Sequence, residues 1–133
     1  MVEVTLHRRG TALVRRLTLA PGEATKWHTD PFHRVSVIFK GQALAIEFRD
    51  GCASLRLRVT PGQVDWDEPS DRIHRAVNIA DVPYEEVTVF FLAHPDDIAQ
   101  PDAPPDVDAP KTNPCLPSTA GGSTMATSGK VLI

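Results

Sequence analysis

The chain has 133 residues and carries 14 Lys+Arg against 17 Asp+Glu, a formal net charge of -3. That is the length of a single domain. It has no Lys/Arg-rich face of the kind that binds nucleic acid, and its apolar runs, such as Val87 to Ala93, are too short to span a membrane.

The charge and the prolines divide at His94. Residues 1–94 hold 12 basic and 12 acidic residues, so the whole -3 falls in residues 95–133, with seven of the 12 prolines. The expected organisation is an electrically balanced body over 1–94 and a Pro-rich, mildly acidic, irregular tail over 95–133. The start, Met-Val-Glu-Val-Thr-Leu, lacks the basic-then-apolar layout of a signal peptide. Two cysteines, Cys52 and Cys115, make neither a metal cluster nor a disulfide framework, so a cytoplasmic location is expected.

In chain order, short β-branched and apolar stretches predict strands over 2–7, 12–19, 23–28, 34–40, 43–48, 54–59, 63–67, 73–79 and 86–92. Turn residues separate them: Pro21-Gly22, Asp30-Pro31, Lys40-Gly41, Asp50-Gly51, Pro61-Gly62, Pro69-Ser70 and Asp81-Val82-Pro83. Leu44, Ile46 and Phe48 share one face, and Leu55, Leu57 and Val59 oppose Arg56 and Arg58. Val87, Val89 and Phe91 oppose Thr88 and Phe90. Many short strands with Gly/Pro turns predict an all-β sandwich or closed barrel. After it, Asp96 to Gln100 reads as one helical turn. Residues 101–117 are too Pro-rich for helix or central strand, and 119–129 are Gly/Ser/Thr-rich. The final Val131-Leu132-Ile133 is suited to adding to a sheet edge.

Two segments carry candidate chemistry. In the first, Gly22 is followed by five residues and then His28, with Asp30, Arg34 and Gly41 after it. In the second, Gly62 is followed by Glu68-Pro69-Ser70 and closes with His74 and Asn78. This pair resembles the two motifs of the cupin superfamily over roughly residues 10–93. The first motif is matched in spacing throughout, but Asp30 stands where a second His is usual and Arg34 where a Glu is usual. The second motif is one residue longer than usual, and Glu68-Pro69-Ser70 replaces Pro-x-Gly. There is also a weaker similarity to small cupins associated with beta-alanine breakdown, through Gly-x-x-x-x-Trp-His at 22–28.

The resemblance implies a double-stranded β-helix, or jelly-roll barrel, with the motif residues in its mouth. His28 and Asp30 lie two apart and project from one strand face, and His74, Ala76 and Asn78 share another. His28, Asp30 and His74 have the composition of a His/His/carboxylate site for Fe, Mn, Ni or Zn. Arg34 opens two alternatives. It binds a small carboxylate, with His28 or His74 as acid or base, so that His28, Arg34 and His74 are the catalytic candidates. Or it replaces the metal through an internal salt bridge to Asp30.

His33 is expected on the surface unless the turn before it redirects it toward the metal. His7 and His94 are expected to be inert. Trp27 is read as packing under a strand or in an interface. Trp66 is read as a core residue between exposed acids, with Asp65, Asp67, Glu68 and Asp71 as a solvated loop. Glu47 is read as able to reach the cavity, Arg8-Arg9 and Arg15-Arg16 as surface charge, and Cys52 as an exposed thiol.

Three functions follow. The first is an enzyme acting on a small anionic metabolite, of dioxygenase, isomerase or lyase type if a metal is held. The second is a non-catalytic sensor or carrier of a small carboxylate without metal. The third is an interaction role for the tail. A homodimer is expected, with no nucleic-acid or membrane partner.

Overall fold

The structure, a computed structural model, describes residues 1–104 and 131–133. Among the described residues, ten strands run in chain order: β1 (Val2–Arg9), β2 (Ala12–Leu19), β3 (His28–Asp30), β4 (Arg34–Lys40), β5 (Ala43–Phe48), β6 (Leu55–Arg58), β7 (Val64–Asp67), β8 (Ser70–Asn78), β9 (Tyr84–Phe91) and β10 (Val131–Leu132). They form two five-stranded sheets, ordered β1-β2-β9-β4-β7 and β10-β6-β5-β8-β3. Every pairing is antiparallel. The all-β jelly-roll expectation is met.

Alternation places the core between the sheets. Leu17, Leu19, Ile38 and Tyr84 from the first sheet meet Leu44 from the second and Val59 just after β6. Ile46, Phe48 and Leu57 extend this floor, and Leu13, Phe90 and Leu92 close the other side with Ala99. Burying each large side chain contributes about 1.5–3 kcal/mol. Gly41, in the β4–β5 turn, has φ of 141°, and a Cβ there would lie 2.7 Å from the buried Tyr84 ring. Only glycine meets both demands.

Several sequence expectations are corrected. The strand expected over 23–28 is only an isolated bridge at Ala24 to Val77, and a continuous ladder begins at His28. Strand β8 begins at Ser70, three residues earlier than expected. The helical turn expected over 96–100 is a non-helical turn, closed by Asp97 N–H donating to His94 O at 3.1 Å. The sheet-edge expectation for the C-terminus is met, since Val131 pairs with Arg58 and Leu132 with Leu57. The Pro-rich and Gly/Ser/Thr-rich stretches expected to be irregular lie, from 105 onward, outside the described residues. Cys52 is disulfide-bonded and half-buried against Ile46, Phe48 and Leu57, rather than an exposed thiol. That removes the cysteine argument for a reducing compartment. Among the described residues, no helix is long and apolar enough to cross a membrane.

Strand β7 inverts its expected orientation. It pairs with β4 so that Asp67 lies opposite Arg34 and Asp65 opposite Ser36. Asp65 is 0% and Asp67 3% exposed, while Trp66 is 45% exposed. The inward cation and hydroxyl on β4 give the acids a polar interior to face. The expected solvated acidic loop is therefore reduced to Glu68 and Asp71.

Candidate metal centre

The mouth of the barrel is built by β3 and β8. Their register shifts between His28 and Asp30, because Asp30 pairs with Ser70 while His28 lies opposite His74. The two imidazoles meet with ring centroids 4.6 Å apart, and one ligand atom from each of His28, Asp30 and His74 lies within 4.8 Å of the others. All three side chains are buried.

The histidines are oriented by the main chain. His28 Nδ1 is 2.7 Å from Lys26 O, and His74 Nδ1 is 2.7 Å from Arg72 O. A carbonyl only accepts, so Nδ1 carries a proton in both rings and Nε2 is left to face the site. His74 Nε2 is 2.8 Å and His28 Nε2 3.5 Å from Asp30 Oδ2. A bare Nε2 lone pair on His74 would repel that carboxylate, so a cation, either proton or metal, belongs between them. Burial pushes the Asp30 carboxyl up, but hydrogen bonds from His28 and His74 and the Arg34 charge outweigh it. They hold the carboxyl well below the usual carboxylate range.

This donor set fits a divalent transition ion: two imidazoles of fixed tautomer and one ionised carboxylate. Arg34 does not close the site to one. Its Nη2 lies 3.4 Å from Asp30 Oδ2 and 3.7 Å from Asp67 Oδ2, so its charge is shared between two acids. Its Nη1 is buried with no hydrogen-bond partner among the described residues.

The cavity holds about 60 Å³ of free space, room for a few waters or one small polar molecule. Leu17, Leu44, Ile46, Leu57 and Ala76 form an apolar floor beneath the polar groups. On the first sheet, Ser36 Oγ donates to Thr88 Oγ1 at 2.8 Å, and Thr88 donates to Glu86 Oε2 at 2.6 Å. This relay fixes Glu86 at the wall.

Other expectations fare differently. Arg15, read as surface charge, is 9% exposed and lines the cavity. The inward period Leu13-Arg15-Leu17-Leu19 was the signal that could have found it. Glu47 does not reach the cavity; it faces outward and pairs with Arg75 at 2.7 Å. His33 is exposed, pairs with Glu68 at 2.9 Å and packs on Trp66, away from the ligands. His7 and His94 are exposed. Trp27 is half-buried, with the Arg75 guanidinium 4.5 Å from its ring. Asn78 holds the backbone, donating to Leu19 O at 3.1 Å and Val82 O at 2.8 Å. Gln100, assigned to the tail, also lines the cavity, and no sequence signal pointed to it.

No protein-family model matches the sequence, and no curated protein is significantly similar to it. Solved structures are similar in fold. A cupin domain from Bordetella pertussis Tohama I is 22% identical with TM-score 0.61, covering 69% of this chain and 93% of that one. A conserved protein with a double-stranded β-helix domain from Klebsiella pneumoniae is 18% identical with TM-score 0.56, over 77% and 84%. A cupin superfamily protein from Desulfitobacterium hafniense is 15% identical with TM-score 0.51, over 68% and 76%. With these neighbours and its two five-stranded antiparallel sheets, the chain has the cupin fold, the double-stranded β-helix barrel.

Proposed function

We propose that this protein is a metal-dependent cupin enzyme that takes a small anionic metabolite at the barrel mouth. The observation that supports it most is the presentation of His28 Nε2 and His74 Nε2 to one oxygen of Asp30, with both Nδ1 atoms committed to carbonyls. A bound Fe, Mn, Ni or Zn ion would supply Lewis-acid polarisation of a substrate oxygen, the basis of dioxygenase, isomerase or lyase chemistry. In this reading His28 and His74 hold the ion, so neither is the proton carrier.

Charge supports the anionic ligand. The cavity is lined by the carboxylates Asp30, Asp67 and Glu86 and the guanidiniums Arg15 and Arg34, a formal balance of minus one. A divalent ion turns that to plus one. The unpartnered Arg34 Nη1 is a donor available to a carboxylate oxygen. The apolar floor keeps bulk water from competing and strengthens these interactions.

The test is metal analysis and calorimetric titration on protein purified without added metal. We expect about one equivalent of Mn, Fe, Ni or Zn, lost in His74→Ala. Stabilisation should be about 2.7 kcal/mol at a hundred times the dissociation constant. Less than roughly a tenth of an equivalent, with no stabilisation, would overturn the reading and favour the metal-free carboxylate binder, in which Arg34 stands in for the ion.

We also propose a homodimer through the outer face of the first sheet. Phe39, Val64, Trp66 and Phe91 are exposed there, and Trp66 stacks on Phe91 with centroids 5.6 Å apart. Such a contiguous apolar surface marks an interaction site.

A further inference from the structure

The segment that follows the barrel returns to its mouth. Thr29 N–H donates to Pro101 O at 3.2 Å, and Ala103 N–H donates to Trp27 O at 3.0 Å. Lys26 pairs with Asp102 at 2.6 Å, and His28 and Asp102 form an antiparallel bridge. Residues 101–103 thus add along the free edge of β3, the strand that carries two of the three ligands. Ala99, 8% exposed, anchors the approach by packing with Leu13, Phe90 and Leu92.

Between these anchors Gln100 turns its carboxamide into the mouth. Its Oε1 accepts from Arg15 Nη1. Arg15 has only donors, so the amide orientation is fixed, with Nε2 toward the metal centre. Nε2 is 2.6 Å from Asp30 Oδ1 and 3.2 Å from His28 Nε2. Arg15 Nη1 is itself 3.3 Å from Glu3 Oε1 on β1. A relay therefore runs from Glu3 through Arg15 and Gln100 to Asp30. It divides the labour of the Asp30 carboxylate: Oδ2 faces both imidazoles and Arg34, while Oδ1 is held by Gln100.

We infer that Gln100 is a positioning residue for the centre, fixing Asp30 as a ligand through Oδ2 alone. This rests on the metal reading above. Ligating carboxylates depend on hydrogen bonds of this kind for orientation, and their loss typically costs 10- to 100-fold in metal affinity. His28 Nε2 would be given over to a bound ion, and Gln100 would still be held by Arg15 and Asp30. The residue comes from beyond both motif segments, so the mouth is complete only when the segment after His94 is docked.

The test compares the full-length chain with Gln100→Leu, which keeps the bulk and removes the donor. Asp102→Ala serves as control, because it removes only the exposed salt bridge to Lys26 and leaves the backbone pairing that docks the segment and Gln100. Zn(II) affinity is read by calorimetry and the coordination mode by the visible absorption of Co(II). We expect Gln100→Leu to bind Zn(II) 10- to 100-fold more weakly, with a changed Co(II) band as Oδ1 becomes free to ligate. Asp102→Ala should keep the parent band and affinity. A Gln100→Leu protein that binds as tightly as the parent, or more tightly, with the parent's band, would overturn the inference while leaving the metal reading intact. A band change of equal size in Asp102→Ala would overturn the specific role of the carboxamide. A parent that takes no metal would remove the metal reading and this inference with it.

Discussion

Arg34→Met tests how the barrel interior is balanced. The substitution keeps much of the aliphatic stem and removes the charge. Arg34 Nη2 lies 3.4 Å from Asp30 Oδ2 and 3.7 Å from Asp67 Oδ2, and Arg34 is 8% exposed. At an effective dielectric constant near 20, each contact is worth on the order of 4–5 kcal/mol before desolvation. Burying the guanidinium offsets much of that sum. Removing one partner of a buried pair, however, leaves the others uncompensated, at a typical cost of about 3–5 kcal/mol. A domain has about 5–15 kcal/mol in total, so the loss is large. We expect denaturant midpoints of the metal-free protein to fall accordingly. We also expect the loss to shrink on adding Zn(II), because the ion replaces the lost positive charge beside Asp30. A loss below about 1 kcal/mol, or one that metal leaves unchanged, would refute the idea that Arg34 and the ion neutralise the same carboxylates.

Three further outcomes are expected. Tyr84 is the single tyrosine, and burial, helped by Glu86 and Asp65, raises its hydroxyl well above the ordinary tyrosine range. The stability this reflects is full below about pH 10, the unfolded value, and is lost as pH rises toward the folded value. Absorbance at 295 nm should therefore show no tyrosinate near pH 10 until the chain unfolds, and half-titration there in folded protein would contradict its burial. Gly41→Ala should cost about 1–3 kcal/mol in chemical denaturation, since the new methyl meets the Tyr84 ring at a positive φ. A neutral result would mean that the turn shifts freely. Trp66→Lys should halve the mass seen by sedimentation without lowering the thermal midpoint of the separated chain; an unchanged mass would place any dimer contact elsewhere.

The sequence was legible where one period or one spacing carried the information. Alternation set β2, β4 and β5 to the residue, and the paired motif segments pointed to the strands that bring His28, Asp30 and His74 together. The reading failed where alternation gave a phase but no sign. Asp65-Trp66-Asp67 alternates equally well with Trp inside or outside. The apolar prior chose inside, and the Arg34 and Ser36 partners on β4 reversed it. Arg15 failed in the same way, read by its charge although its phase matches Leu13 and Leu17. For Glu47, the side away from Leu44 and Ile46 proved to be the outside of the barrel.

The sequence by itself determined the all-β class and most strand positions, because these depend on local periodicity along one chain, and its resemblance to the cupin motifs pointed to His28, Asp30 and His74. Only the tertiary structure decided which face of each strand is the interior, that Arg34 sits between two acids, and that Gln100 returns from beyond the barrel to hold Asp30. Those facts depend on contacts between strands far apart in the chain, and no local pattern encodes the register that brings them together.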